Sequence, residues 1–200
     1  MKPVNELFTE EEMKSLLQAA KKRAARGTIV DKSDYALLVY AYATGCRVSE
    51  IASVSLSRSE PNWLDLTSGT LTIGQAKYQS VGAVPIDIGS IRVLSWYVRD
   101  VRPRLKNAQH LDRLFLTKVG RPYSPNALTQ KFGLLLRRFG YENRTAHALR
   151  HFYVSDLLRR GVQPHVVQAL ARHKDARTTL GVYAHATPDD LRNAVNRRVG

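Results

Sequence analysis

Read as a pattern of apolar and polar positions, the chain is helical with one interruption. TEEEMKSLLQAAKKRAARG places Met13, Leu16, Leu17 and Ala20 on one face; Thr9 and Glu12 form a capping-box signature at its start, and Gly27 ends it. SDYALLVYAYATG is apolar nearly all round and predicts a buried helix closing at Gly45. RVSEIASV restarts a short helix behind Arg47, and SIRVLSWYVRDVRP predicts one stopped by Pro103. SPNALTQKFGLLLRRFG has Ser124 as N-cap, Pro125 at the first helical position and Gly140 as terminator. Thr145 to Arg160 forms the next helix, halted by Gly161, and a shorter one begins at Pro164. TPDDLRNAVNRR, opened by Thr187 and Pro188, is the last.

The interruption is NWLDLTSGTLTIGQAKYQSVGAVPI, where the period drops to two and Gly69, Gly74 and Gly82 punctuate Thr-, Val- and Ile-rich runs. It predicts three short antiparallel strands near 63–66, 70–76 and 81–86, with Lys77 at the tip of the second hairpin. No repeats or low-complexity linkers divide the chain. The expectation is one mainly α domain over 1–200 with a small three-stranded antiparallel β-sheet inserted.

Composition narrows the setting. At 44% hydrophobic residues the chain has enough material for a core. It lacks any run of about 18 uncharged apolar residues, so no membrane partner is expected. Its N-terminal stretch has no signal-peptide pattern. One cysteine, Cys46, excludes an internal disulfide framework and a multi-cysteine zinc site, which points to a reducing, cytoplasmic environment.

Charge changes the picture most. Lys and Arg number 31 against 17 Asp and Glu, a formal charge of +14. Such a field attracts polyanions, and nucleic acid above all, through counterion release. A merely soluble basic domain or one bound to anionic lipid would share the charge, but no basic amphipathic anchor stands out.

Phosphodiester chemistry needs a nucleophile, cationic donors for the non-bridging oxygens and an acid for the leaving oxygen. Carboxylates here are scattered: Glu10 to Glu12 cap one helix and Asp189 and Asp190 start another. No acidic cluster suggests a Mg²⁺ site, so arginines and histidines become the candidates for the positive field. NRTAHALRHFY supplies His147, Arg150 and His151. His147 and Arg150 are three apart and share a helical face, while Leu149 and Phe152 can anchor that helix. His147 and His151 at i, i+4 have metal-like spacing. A zinc-protease motif, however, would need Glu at position 148, which is Ala. TGCRVSE sets Arg47 in a turn with Glu50 three residues on, either aimed at a ligand or an ordinary surface ion pair. Lys77 is either a solvated turn residue or a proton donor. Tyr183, in RHKDARTTLGVYAH with His173, is either packing or a nucleophile.

Their order carries more than any one of them. Arg47 in TGCRVSE, Lys77 on a hairpin before VPI, HALRH, and His173 with Tyr183 in TTLGVYAH together resemble the tyrosine recombinase (phage integrase) family. HALRH matches that family's H-x-L-R-H box, and LFTEEEMKSLLQAA resembles the start of its catalytic domain. The resemblance implies that fold. It makes Tyr183 the nucleophile forming a 3′-phosphotyrosyl link, Arg47 and Arg150 the phosphate clamp, and Lys77 the acid for the 5′ oxygen. His147 would assist proton transfer at Tyr183 and His173 would hydrogen-bond the phosphate, with Glu50 and His151 in support.

Arg172, Lys174 and Arg177 are further expected DNA contacts. Arg172 stands where the family usually has Gly before the second histidine, and GQAKYQS replaces a Gly/Lys-rich hairpin. The implied partners are double-stranded DNA and, on DNA, a homo-tetramer assembled from monomers, with no metal, ATP or other cofactor. The helix at 188–199, through Leu191, Ala194 and Val195, would dock on a neighbouring protomer or fold back on its own core. The family's N-terminal core-DNA-binding domain is expected to be missing from this chain. The alternatives are a type IB topoisomerase-like nicking-closing enzyme and a non-catalytic DNA-binding accessory protein.

Overall fold

In the computed structural model, which describes residues 7–75 and 80–172, Thr9 opens helix α1 (Glu10–Arg26) with a reciprocal capping box. The Glu12 amide donates to Thr9 Oγ1 at 3.1 Å, and the Thr9 amide donates to Glu12 Oε2 at 2.8 Å. Helix α2 (Ile29–Thr44) starts earlier than the apolar pattern predicts. Thr28 and Asp31 form a second box, in which the Thr28 amide reaches Asp31 Oδ2 at 2.8 Å. Gly45 closes α2 in the left-handed region (φ 55°), and a Cβ there would overlap the Tyr153 ring. Short α3 (Val48–Ser53) follows two residues later.

Strands β1 (Asn62–Asp65), β2 (Thr70–Gln75) and β3 (Ser80–Pro85) pair antiparallel in the order β1-β2-β3, within a residue or so of the predicted spans. Their register sets Leu64 opposite Leu71 and Leu71 opposite Val84, so one face presents a buried apolar ladder. After α4 (Ile88–Trp96) the chain does not simply stop at Pro103. It widens into a π turn at Tyr97–Val101 and tightens into a 3₁₀ turn at Arg102–Arg104 that contains the proline. The wide turn puts Tyr97 and Val101 in the core. Buried Arg102 donates to the carbonyls of Ala108, Leu111, Arg113 and Leu114, stapling the loop that follows.

Helices α5 (Pro125–Arg138), α6 (Ala146–Arg159) and α7 (Pro164–Ala171) complete the described fold, with Ser124 capping α5 as expected. The main core joins α1, α2, the sheet, α5 and the first half of α6 through residues such as Leu16, Leu38, Leu71, Phe132, Leu149 and Phe152. A second cluster, Val154, Leu158, Val167 and Ala171, joins the second half of α6 to α7. One helix therefore carries Arg150 within its main-core anchorage and is held again by a second one further along. Among the described residues, no helix is long and apolar enough to cross a membrane.

Candidate functional site

The site gathers where α7 ends. Arg172 takes a left-handed C-cap conformation (φ 55°, ψ 43°), which leaves the carbonyls of Ala171 and Arg172 outside the helical ladder. Each accepts an arginine from elsewhere in the chain. Arg150 Nη2 donates to the Ala171 carbonyl, and Arg47 Nη2 donates to that of Arg172 at 3.2 Å. The other arm of Arg150, Nη1, donates to the Gly45 carbonyl at 2.6 Å. Cations at a helix C-terminus also complement its dipole.

Arg47 is the N-cap residue of α3, held from its own helix by Glu50. The Arg47 amide donates to Glu50 Oε2 at 2.7 Å, and Arg47 Nη1 donates to Oε1 at 3.1 Å. Glu50 is shared. Arg172 Nε and Nη2 donate to its Oε1 and Oε2 at 3.3 and 3.0 Å, and Arg172 Nη1 turns back to the Leu170 carbonyl at 2.7 Å. Cys46 Sγ lies 3.5 Å from Arg172 Nη2 and 3.8 Å from the buried Tyr40 hydroxyl.

Three guanidiniums thus gather at a site with one carboxylate, which Arg47 and Arg172 contact directly. Arg150 is only 5% exposed, and burial, then repulsion from Arg47 and Arg172, pushes its pKa down to about 10, still charged at neutral pH. Burial would raise the Glu50 carboxyl, but Arg172 and the Arg47 amide hold it below its ordinary value. Arg102 is a useful contrast, since it too is buried among carbonyls, yet among the described residues the charges acting on it are Tyr97 and Asp112, with no second guanidinium. Arg150 differs by its cationic neighbours, and an under-neutralised cationic group at partial burial favours an anion.

On α6, the rings of His147 and His151 meet edge to face, 4.5 Å between centroids, with Nε2 atoms 2.9 Å apart. In this contact one ring nitrogen donates and the other accepts, the roles being set by the tautomers. His151, expected in a supporting role, is a direct partner of His147. Among the described residues, no group of three or more His, Cys, Asp or Glu side chains is placed to hold a metal.

Several expected site residues, Lys77, His173, Lys174, Arg177 and Tyr183, lie outside the described residues, as does the 188–199 helix. The hairpin that would carry Lys77 is placed up to Gln75 and from Ser80, which pair with each other. A Cβ built on its Gly82 would stand 3.5 Å from Cγ and Cδ of Arg172, so this hairpin leans on the site. Arg172 itself departs from expectation. Instead of reaching outward for DNA, its side chain is 2% exposed and turned onto Glu50. Sequence reasoning missed Cys46 and the carbonyl acceptors. Gly45 marked a helix end, but nothing local marked its carbonyl as an anchor.

Comparisons with known proteins bear on the family and the fold. Tyrosine recombinase XerD of Pseudomonas putida is 30% identical over 185 residues, covering 92% of this chain and 58% of that protein. Tyrosine recombinase XerC of Lactobacillus leichmannii is 27% identical over 192 residues, 95% of this chain and 61% of that one. The chain therefore spans about three fifths of the length of these curated relatives. The crystal structure of XerA recombinase shares the fold at a TM-score of 0.79 and 23% identity, over 99% of this chain and 66% of that chain. The Tn1549 transposon integrase bound to transposon right end DNA does so at 0.73 and 21%, over 97% and 66%. The profile of the phage integrase family matches residues 6–189, and the chain belongs to that family.

Proposed function

We propose that this chain is the catalytic domain of a site-specific recombinase that cuts and rejoins double-stranded DNA through a 3′-phosphotyrosyl intermediate. The observation that carries the reading is the pair Arg47 and Arg150, fixed on adjacent carbonyls with one carboxylate to offset three guanidiniums. Such a pair is preorganised for the non-bridging oxygens of a phosphodiester and costs no rearrangement when charge develops there.

In this reading the Tyr183 oxygen attacks phosphorus as its bond to the 5′ oxygen breaks. Lys77 gives that oxygen a proton and His147 takes the one leaving Tyr183. The His151 ring 2.9 Å away gives His147 a partner across which a proton can be shared. His173 donates to the phosphate. Rejoining reverses the step: a 5′-hydroxyl displaces the tyrosine, and the phosphotyrosyl bond has conserved the energy of the one it replaced. Exchange between two duplexes implies four protomers, one for each cleaved strand.

The test is capture. Wild-type protein incubated with fragmented DNA and quenched in denaturant is expected to yield covalent complexes whose sequenced DNA converges on one site. Tyr183→Phe should bind that duplex with unchanged affinity and form no adduct; an adduct from this variant would remove Tyr183 as nucleophile. Plasmid relaxation with no site preference would instead mark a topoisomerase-like enzyme. Absence of any wild-type adduct would leave a DNA-binding module.

A further inference from the structure

Arg172 is not explained by the site as described so far. It is one of two non-glycine residues among those described with positive φ, the other being Asn107. Asparagine tolerates that region, whereas a long side chain is disfavoured there. Nor is its guanidinium at the surface: it grips both Glu50 oxygens and leaves 2% of the side chain exposed. A residue kept in an unfavourable backbone conformation and buried with its charge invites a functional explanation.

The charges around Glu50 supply one. Its carboxylate has two cationic claimants, Arg172 and Arg47, and Arg47 is the more exposed, with 43% of its side chain accessible. Were Arg172 absent, the full carboxylate charge would fall to Arg47, which would then meet a phosphate already neutralised. With Arg172 present, Glu50 still holds Arg47 by geometry while its charge is matched elsewhere. We infer that Arg172 is a positioning residue that matches the charge of Glu50, so that Arg47 is oriented by the carboxylate yet keeps its positive charge for the scissile phosphate. The Arg172 stem also lies close to β3, near enough that a Cβ at Gly82 would touch it at 3.5 Å.

This inference rests on the strand-transfer reading above and differs from a DNA contact at Arg172. The informative variant is Arg172→Gly, because glycine accepts the left-handed turn and so preserves the carbonyl that receives Arg47. Using the duplex captured by the wild-type protein, three quantities are compared: duplex Kd, rate of covalent adduct formation at saturating duplex, and melting temperature.

Arg172→Gly is expected to keep Kd within about threefold while slowing adduct formation roughly tenfold or more, a loss from the chemical step alone. Arg172→Lys should recover part of the rate, as it returns the charge without the fork. Adding Glu50→Gln to Arg172→Gly should also recover part of it by removing the charge that now burdens Arg47, a rescue that a merely structural role does not predict. The inference is overturned if Arg172→Gly forms adduct within about twofold of wild type. It is equally overturned if the loss tracks a lower melting temperature with no rescue by Glu50→Gln, or if Kd weakens and its salt slope falls by about one, as for a phosphate contact. Failure of the wild-type protein to form any adduct overturns the strand-transfer reading itself, and this inference with it.

Discussion

Gly45 offers the sharpest test of how the fold builds the arginine pair. Two separate costs attach to Gly45→Ala. The residue sits at φ 55°, where a Cβ meets its own carbonyl, a penalty of about 1–2 kcal/mol. The new methyl would also overlap the Tyr153 ring, and relieving such a clash costs typically about 1–3 kcal/mol. Together they predict a loss of about 2–5 kcal/mol in unfolding free energy. The two parts separate in a double-mutant cycle. In a Tyr153→Ala background the ring contacts disappear and only the residue 153 Cβ at 3.1 Å stays close, so little beyond the backbone cost of about 1–2 kcal/mol should remain. Urea unfolding followed by the fluorescence of Trp63 and Trp96 reads all four proteins. The reasoning is wrong if Gly45→Ala costs less than about 0.5 kcal/mol, or if it costs the same in both backgrounds. Because the Gly45 carbonyl receives Arg150, the variant should also bind phosphate-bearing ligands more weakly even where it remains folded.

Three further outcomes follow from the packing and ion pairs. Arg102→Met removes the side-chain donor shared by the carbonyls of Ala108, Leu111, Arg113 and Leu114 and should cost about 3–5 kcal/mol in urea unfolding, with little recovery in Arg102→Lys. Leu71→Ala, between Leu64 and Val84 in the sheet, should cost about 3–4 kcal/mol, since the ladder cannot close over the cavity. Asp31 works against its own burial: bonds from Thr28 and Arg23 hold its carboxyl at about 2, below the ordinary 3.8. That contribution is present above about pH 4 and lost as pH falls through the folded value. With Arg23 half exposed, Asp31→Asn should cost about 1–2 kcal/mol at pH 7 and progressively less from pH 4 to pH 2 in acid titrations of stability.

How legible each feature was in the sequence depended on how far its cause reached along the chain. Thr9 and Glu12, or Ser124 and Pro125, settle a helix start within a few residues, so α1 and α5 could be read directly. The strands were readable because Leu64, Leu71, Ile73 and Val84 keep a strict alternation. The start of α2 was misplaced because Asp31 stands where a capping box more often has Glu, and IVDK hides the apolar period. The π turn at Tyr97 answers to tertiary packing, and no local signal announces it. Arg47, Glu50, His147 and Arg150 could be singled out because helical spacing pairs them. The inward turn of Arg172 could not, since its partner Glu50 lies 122 residues away.

The two adjacent carbonyls at the end of α7 act as a common datum for the arginines. Arg47 comes from the start of α3 and Arg150 from the second turn of α6, so each inherits the positional error of a different helix. Ending on neighbouring peptide groups ties both tips to one reference. A small rigid shift of α7 then pulls both guanidiniums the same way, against the Gly45 carbonyl and Glu50 that hold their other arms, and changes the gap between them less than it changes either position. The gap is the dimension a phosphate would measure, and the structure protects it by shared reference where stiffness in each helix alone would not suffice.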